Sequence, residues 1–339
     1  MTLPKYLRAV VTTACPMACT YCHMEGDPPV GVSGGAVQRG NLTTDEWVAI
    51  LEVAVQSGVR KVKFLGGEPL SRSDLPEIIR RVRAIDREVD LSVITSGVAS
   101  VERLDACFAA GLTRANMSVH GWEAEAFARR NGNARMRLLR DRSLERLLQH
   151  GRCLKLNYVY GGPADVADLT QFLNWCAGKP VVANVLDDLG SDVGPRGVEA
   201  IVRELRGPPD QTWVDPDPYS LPTRHLRWSD GLQVEIKDQH LGELEPWNAC
   251  ATCPVRRRCK EGIHAVRVSH DGALRPCMDR PDLGFDLARP LREGGRTRLV
   301  TAWDGALSSL VTPVALSSSA EVSGPGCQNP RNAGVSAST

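Results

Sequence analysis

The segment Cys15-Pro-Met-Ala-Cys19-Thr-Tyr-Cys22 places three cysteines on one short stretch, directly after the apolar run 7–13. Four-iron clusters are normally held by four cysteine thiolates. Three thiolates on one loop can hold three irons of such a cluster and leave the fourth iron open, unless a distant residue closes it. Because an open iron can bind a small molecule and pass an electron to it, the spacing predicts an iron–sulfur redox site.

Two other interpretations of these cysteines were weighed. Three nearby cysteines can belong to a zinc site, or they can be ordinary buried thiols, since free cysteine is often buried. Zinc knuckles favour paired C-x2-C units and four closed ligands, which this segment does not have. We therefore expect Cys15, Cys19 and Cys22 to be cluster ligands.

Composition limits the classes of function. The 339 residues carry 41 Lys and Arg against 40 Asp and Glu, and this balance argues against a membrane-surface protein and against stable nucleic-acid binding. No apolar run is long enough to span a bilayer, and the first residues lack the apolar core of a signal peptide. We expect a cytoplasmic protein, in which eleven cysteines indicate metal or redox chemistry rather than disulfides.

Strand and helix patterns alternate over residues 5–205. About six such units in succession predict a parallel sheet with right-handed crossovers, either as a flat doubly wound sheet or as a barrel. In both arrangements, chemistry collects at the carboxyl ends of the strands. The unusual residues all fall at those ends, which predicts one shared site: the cysteine loop, Gly66-Gly67-Glu68-Pro69, Ser96-Gly97, Ser118-Val-His120 and Asn157.

The second half of the chain changes in character. Four prolines within residues 207–221 mark a domain boundary, strands are expected over 228–237 and 265–269, and a hairpin turn follows at 270–272. The end is rich in Ser, Ala and Gly, with little periodicity. The predicted division is a core barrel at 1–206, a linker at 207–225, a cysteine-rich domain at 226–305 and a loosely ordered tail at 306–339.

These features resemble the radical S-adenosylmethionine enzymes. The cysteine spacing with Tyr21 beside the third cysteine, Gly66-Gly67-Glu68-Pro69 after the next strand, and the strand–helix repeat carry the resemblance. It implies a partial (β/α)6 TIM-like α/β barrel and a 4Fe-4S cluster whose open iron is chelated by S-adenosylmethionine. Reduction, by a flavodoxin or ferredoxin, then cleaves the cofactor to methionine and a 5′-deoxyadenosyl radical, which abstracts a hydrogen from the substrate.

The resemblance also implies which residues contact S-adenosylmethionine. Two glycines at a strand end let the backbone come close to a ligand, because no Cβ intervenes. A glutamate beside them is suited to accept hydrogen bonds from the ammonium group of the cofactor. The expected cofactor-binding residues are Tyr21, Gly66, Gly67, Glu68, Thr95, Ser96, Ser118 and Asn157.

Within the superfamily, the chain resembles the molybdenum-cofactor GTP cyclase branch, in segments that include Lys5–Arg8 and 265–277. This resemblance implies an auxiliary cluster that binds a nucleotide, with Arg8 and Arg267 facing the substrate. Three departures favour a paralogue with another substrate over the cyclase itself. The spacing before Cys277 is longer, Ala265 stands where the cyclase has a second arginine, and the Gly-Gly ending is absent.

Cys250, Cys253, Cys259 and Cys277 form a second cysteine group. A zinc ribbon needs two C-x2-C pairs, and only the first pair has that form. A second 4Fe-4S cluster tolerates the irregular spacing. If all four thiolates bind, this cluster has no open iron and relays electrons or holds the fold, whereas if Cys259 stands aside it can contact the substrate. Both arrangements remain open.

The leading hypothesis is an enzyme with two 4Fe-4S clusters that acts on a nucleotide, nucleoside or related small molecule. The alternative is a peptide-maturing enzyme, although a cysteine loop that begins at residue 15 leaves no room for a preceding peptide-recognition domain. A zinc-binding module without chemistry is the third hypothesis. Arginines are concentrated in 129–142 and 256–258, where they form either a solvated face or a site for an anionic substrate.

Overall fold

The computed structural model describes residues 5–23, 41–151, 154–188, 190–215, 222–238, 241, 253–254, 265–278 and 280–311. The strands of this described part form one sheet, in the order β12-β11-β10-β1-β2-β3-β4-β5-β6-β9-β8-β7. The strands are β1 (Tyr6–Thr12), β2 (Lys61–Gly66), β3 (Asp90–Thr95), β4 (Arg114–Ser118), β5 (Leu154–Tyr160), β6 (Val181–Asp187), β7 (Gln211–Asp215), β8 (Thr223–Arg227), β9 (Gln233–Lys237), β10 (Val266–Val268), β11 (Ala273–Arg275) and β12 (Phe285–Asp286).

Helices connect the parallel strands. They are α1 (Thr44–Gln56), α2 (Leu75–Ile85), α3 (Val101–Ala109), α4 (Ala124–Asn131), α5 (Arg137–Gln149), α6 (Val166–Cys176), α7 (Gly194–Arg206) and α8 (Ala288–Val311). Strands β1 to β6 are consecutive parallel neighbours, and at least one helix follows each of them. This arrangement confirms the predicted partial (β/α)6 barrel. None of the described helices is both long and apolar enough to cross a membrane.

Alternation along the strands separates the core from the barrel interior. Val62 and Phe64 of β2 are fully buried in the apolar layer with Trp47 of α1, whereas Lys61 and Lys63 point to the opposite face, because successive side chains of a strand alternate. The helices therefore cover an apolar outer face of the sheet. The inner face is left to polar and charged side chains.

Local signals fix where the first helix begins. The Thr43 side chain accepts a hydrogen bond from the Glu46 backbone N–H, and the Glu46 carboxylate accepts one from the Thr43 N–H. This reciprocal pair satisfies two backbone donors that a helix start otherwise leaves unpaired. Helix α1 therefore begins directly after Thr43.

Strands also lie inside residues 207–225, where the prolines predict a linker. β7 pairs with β8 and β8 pairs with β9, both antiparallel, and β9 pairs in parallel with β6. The prolines flank β7 instead of interrupting it, and flanking positions need no backbone N–H for the ladder. These strands extend the barrel sheet past β6, which corrects the linker expectation.

At the opposite end of the β1–β6 series, β10 pairs in parallel with β1. The β10–β11 hairpin follows at the predicted turn. Helix α8 returns to the barrel, where Leu299 and Trp303 are fully buried, and Arg292 forms an ion pair with Glu46 of α1 at 2.5 Å. The helix runs through the predicted boundary at residue 305. Residues 312–339, which hold most of the predicted tail, lie outside the described residues.

We expect Trp303→Ala to lower the free energy of unfolding by about 3–5 kcal/mol, because a fully buried indole is replaced by a cavity. Chemical denaturation followed by far-UV circular dichroism measures the change. Leu138→Ala is the matched control, since Leu138 is 70% exposed and its truncation should change stability by less than about 0.5 kcal/mol. Equal stability of both variants would show that α8 is not part of the barrel core.

Candidate functional site

The cysteine loop leaves the end of β1 and is fastened to the end of α4. The backbone N–H of Ala18 donates to the Asn131 carbonyl at 3.1 Å, and that of Thr20 donates to the Arg130 carbonyl at 3.0 Å. The last carbonyls of a helix have no partner within the helix, so the loop satisfies them. The loop is thereby held at a fixed place over the strand ends.

The three loop cysteines share one electrostatic neighbourhood. Cys15 and Cys22 are exposed, Cys19 is partly buried, and all three are free thiols. Burial is the largest cause that raises the pKa of Cys15 to about 11, and the Glu68 carboxyl, Cys19 and Cys22 raise it further. A bound cation favours the thiolate form of such a thiol. The donor set fits three ligands of an iron–sulfur cluster.

Metal binding would require some rearrangement of these side chains. In the part of the chain that the structure describes, no three Cys, His or acidic side chains already surround a common metal position. The loop is exposed at Cys15 and Cys22, so those two thiols can turn toward a shared centre while the backbone stays fastened to α4.

Gly66 and Gly67 let the backbone at the start of the cysteine loop pack against the end of β2. A Cβ on Gly66 would lie 2.1 Å from the Thr12 carbonyl oxygen, and one on Gly67 would lie 2.3 Å from that of Ala14. The N–H of Gly67 donates to Thr12 at 2.7 Å, and the N–H of Glu68 donates to Ala14 at 2.8 Å. We name these contacts the loop seam. The seam requires residues without a Cβ.

Glu68 is fully buried and joins the end of β2 to the end of β3. Its Oε1 accepts from the Leu70 N–H and the Thr95 hydroxyl, and its Oε2 accepts from the N–H and hydroxyl of Ser96, at 2.6 to 3.0 Å. Burial raises the pKa of Glu68, and these four bonds act against that shift. Since a carboxylate has about four acceptor positions, protein donors already occupy all of them. The structure thus brings Glu68, Thr95 and Ser96 together.

Asn131 is a site residue that sequence reasoning missed. Its Oδ1 accepts from the Tyr21 hydroxyl at 2.9 Å and from the Cys19 thiol at 3.4 Å, while its Nδ2 donates to the His120 carbonyl at 2.5 Å. Burial is the largest cause that raises the pKa of Tyr21. The local signal was an asparagine before Gly132, a glycine with φ +69° that ends α4. No local pattern indicates which residues this asparagine contacts.

The aromatic ring of Tyr21 is held between two side chains. The His120 ring meets it edge-on at 4.4 Å, and the Arg130 guanidinium lies 5.2 Å from its centroid. His120 accepts the Val159 N–H through Nδ1 at 2.8 Å, and burial lowers the pKa of His120 to about 3. This imidazole is therefore neutral, and it serves to position the ring.

Arginines of the 129–142 cluster have structural roles that the sequence does not reveal. Arg130 pairs with the buried Asp165 at 2.6 Å beside a cavity of about 280 Å³. Arg140 is 1% exposed and donates to the carbonyls of Gly121 and Trp122. These two arginines therefore do not belong to a solvated face. Residues 256–258 lie outside the described residues.

A polar row continues across the strand ends. Ser118 of β4 is in register with Asn157 of β5, which is in register with Asn184 of β6. The Asn184 amide donates to Asn157 Oδ1 at 2.8 Å, and its own Oδ1 is buried without a partner among the described residues. Buried polar atoms are normally paired, so this oxygen is an acceptor available to a ligand. Ser118 and Asn157 were predicted, and Asn184 was not.

The interior below this row is cationic. Arg8 and Arg267 are register partners on β1 and β10. Burial lowers the pKa of Lys63 well below its usual range, and nearby cations, with Arg114 the strongest, lower it further. Among the described residues, the inward-facing basic side chains include Arg8, Lys61, Lys63, Arg114, Lys155, Lys237 and Arg267, and the inward-facing acids include Asp90 and Glu235. Alternating lysine in Lys61-Val-Lys63 was the overlooked signal.

The second cysteine group is described in part. Cys253 and Cys277 both raise the pKa of Arg280, after the larger effect of its hydrogen bond to Asp282, so the two thiols lie near the same guanidinium. Cys250 and Cys259 lie outside the described residues. The structure therefore brings two of the four predicted ligands together and does not address the other two.

Residues 9–176 match the family model described as the Radical SAM superfamily. This part of the chain is a radical SAM domain. The domain implies an enzyme that uses S-adenosylmethionine and a 4Fe-4S cluster, and the loop of Cys15, Cys19 and Cys22 lies within it. The match stops at the end of α6, so β9, β10 and the second cysteine group lie outside it.

Curated relatives extend over most of the chain. A probable GTP 3′,8-cyclase from Methanococcus aeolicus is 26% identical over 298 residues, which cover 86% of this chain and 90% of the relative. One from Methanopyrus kandleri is 29% identical over 315 residues, covering 86% and 89%. The GTP 3′,8-cyclase of Limosilactobacillus fermentum is 26% identical over 279 residues, covering 81% and 80%.

Solved structures agree in fold. Streptococcus suis SuiB bound to precursor peptide SuiA matches with a TM-score of 0.56 and 14% identity, over 82% of this chain and 60% of that chain. This chain thus spans less than two thirds of SuiB. Native anSMEcpe with bound AdoMet matches with a TM-score of 0.53 and 11% identity, over 90% and 82%. At such identities the likeness shows the fold alone, and it does not favour the peptide hypothesis.

Gly67→Ala is expected to force the loop seam apart, because its Cβ would meet a backbone oxygen at 2.3 Å. We expect a loss of about 1–3 kcal/mol in the free energy of unfolding and less iron per chain after anaerobic reconstitution. Iron analysis and denaturation measure the two effects. The control is Gly305→Ala, which has open space in α8 and should keep full iron content. Full iron content and unchanged stability in Gly67→Ala would contradict the seam's role.

Proposed function

We propose that this radical SAM enzyme abstracts a hydrogen from an anionic nucleotide, nucleoside or related small molecule held inside the barrel. The observation that carries the proposal is the charge of the interior, where basic side chains of β1, β2, β4, β5, β9 and β10 face inward and outnumber the inward acids among the described residues. A buried excess of positive charge is costly without an anion to offset it. Relatives over most of the chain are named GTP 3′,8-cyclases, which supports a nucleotide.

The residues at the strand ends have distinct roles in this proposal. Cys15, Cys19 and Cys22 would hold the cluster, and Asn131 orients Cys19 and the Tyr21 ring. When bound, the cluster and S-adenosylmethionine supply the 5′-deoxyadenosyl radical. Since the Glu68 carboxylate is already saturated, we propose that it positions Thr95 and Ser96 and does not itself bind the cofactor's ammonium group.

The remaining cofactor contacts belong to the edges of the same opening. We propose that the backbone of Gly66 and Gly67, the hydroxyls of Ser96 and Ser118, and the amide of Asn157 face S-adenosylmethionine. Ser118 and Asn157 are register partners at the carboxyl ends of their strands, where ligands of parallel sheets bind. Substrate would then lie beneath the cofactor, toward Arg8 and Arg267, where the positive charge is concentrated.

We also propose an auxiliary 4Fe-4S cluster on Cys250, Cys253, Cys259 and Cys277. The shared Arg280 neighbour of Cys253 and Cys277 supports it, because a guanidinium offsets the negative charge of thiolates. A cytoplasmic location and a flavodoxin or ferredoxin as reductant suit a chain with eleven cysteines.

The test of the radical function is anaerobic incubation with reductant, S-adenosylmethionine and GTP, ATP or their nucleosides. We expect 5′-deoxyadenosine from the reconstituted protein, and deuterium transfer into it from a labelled nucleotide. Cys19→Ala should abolish this product, because a ligand of the cluster is lost. Cys107→Ala, a buried cysteine of α3, is the control and should retain it. Deuterium transfer from a peptide, and from no nucleotide, would overturn the substrate class.

A second test addresses the auxiliary cluster. Cys277→Ala should lower the iron content from about eight to about four per chain, while reductive cleavage of S-adenosylmethionine continues at the first cluster. Iron and sulfide analysis with electron paramagnetic resonance measures this. Zinc at full occupancy in the unmodified protein would show that the second cysteine group is a zinc site.

A further inference from the structure

Strand β9 presents charged side chains to the barrel interior, although it follows the six strand–helix units. Ala183 pairs with Val234 and Asn184 with Glu235 in the β6–β9 ladder. Val234 and Ile236 are buried in the apolar layer, so Glu235 and Lys237 point the other way. This strand lies beyond the part of the chain that matches the radical SAM family model.

Lys237 reaches the far side of the interior. The titratable groups that act most strongly on its charge are Lys63 of β2, Tyr6 and Arg8 of β1, and Lys155 of β5. In the sheet, β3 to β6 separate β9 from β2, so the two lysines meet across the barrel and not along a ladder. Tilted strands make the register climb around a barrel, which brings the end of β9 level with the start of β1.

The acids of the interior are already engaged. Glu235 forms an ion pair with Lys155 and lies 3.7 Å from His225 Nδ1, and Asp90 pairs with Arg114. Among the described residues, no ion pair joins Lys63 or Lys237 to an acid. Burial is the main cause that lowers the pKa of Lys237 to about 7, and Lys63 adds to it. In the described part of the chain, neither Lys63 nor Lys237 thus has an acid beside it to offset a positive charge.

We propose that Lys237 is a substrate-binding residue, which completes with Arg8, Lys63 and Lys155 a ring of cations for the phosphate chain of the substrate. The inference rests on the proposed function, since it assumes an anionic nucleotide in the barrel. Four cations from four strands enclose one anion from several sides, and ammonium groups act as point charges toward phosphate oxygens. Strand β9 thus contributes to specificity for phosphorylated over unphosphorylated forms.

The experiment measures equilibrium binding to the full-length, anaerobically reconstituted protein by calorimetry. The probes are GTP, inorganic triphosphate and guanosine. We expect Lys237→Gln to weaken the binding of GTP and triphosphate by about 10- to 100-fold, as for a lost hydrogen bond to a charged group. The affinities for guanosine and S-adenosylmethionine should not change. Lys179→Gln is the matched control, because Lys179 lies over the Trp175 ring outside the barrel, and should bind all probes normally.

Proton uptake separates a binding role from a structural one. At pH 8 a lysine with a pKa of about 7 is mostly neutral, and a bound phosphate would raise that pKa, so binding should take up to about one proton. Lys237→Arg should keep triphosphate affinity within about threefold but lose this uptake, because arginine is always charged. Calorimetry in buffers of different ionisation enthalpy counts the protons, and the arginine variant remains informative if Lys237→Gln does not fold.

The outcomes are distinguishable. If the unmodified protein binds GTP and both Lys237 variants bind it equally well with unchanged proton uptake, the role of Lys237 is overturned and the proposed function stands. If the unmodified protein binds neither GTP nor triphosphate, the anionic substrate itself is wrong, and the inference is overturned with it.

Discussion

The loop seam is the contact on which the rest of the site depends. Two backbone hydrogen bonds, from Gly67 to Thr12 and from Glu68 to Ala14, join the end of β2 to the start of the cysteine loop. Only residues without a Cβ permit that approach. The seam fixes the loop on one side and α4 fixes it on the other, so the three thiols are positioned by backbone geometry and not by one another.

The second layer of the site follows from that constraint. Once the seam places Glu68 in the interior, its carboxylate needs donors. The end of β3 supplies three of them through Thr95 and Ser96, and the Leu70 N–H in the turn after β2 supplies the fourth. Desolvation makes an unsatisfied carboxylate there costly. A residue that looks like a cofactor ligand in sequence therefore ties two strand ends together.

Part of the fold and of the site could be predicted from the sequence, and part could not. The strand–helix alternation and the strand-end positions of Ser118 and Asn157 depend on local periodicity, and local patterns predicted them. Asn131 and Lys237 depend on partners far away in the chain: Asn131 contacts Cys19 and Tyr21, and Lys237 faces Lys63 across the barrel. Local periodicity carries no information about such pairings.

The pairing of β1 with β10 has a consequence for biogenesis. Leu7 is in register with Val266, so one edge of β1 stays unpaired until the chain has been synthesised as far as β10. Contacts of such sequence separation form late, and an open edge invites association with other chains. The nascent enzyme thus carries its cysteine loop next to a strand with an unpaired edge. The β10–β11 hairpin closes that edge when it pairs with β1.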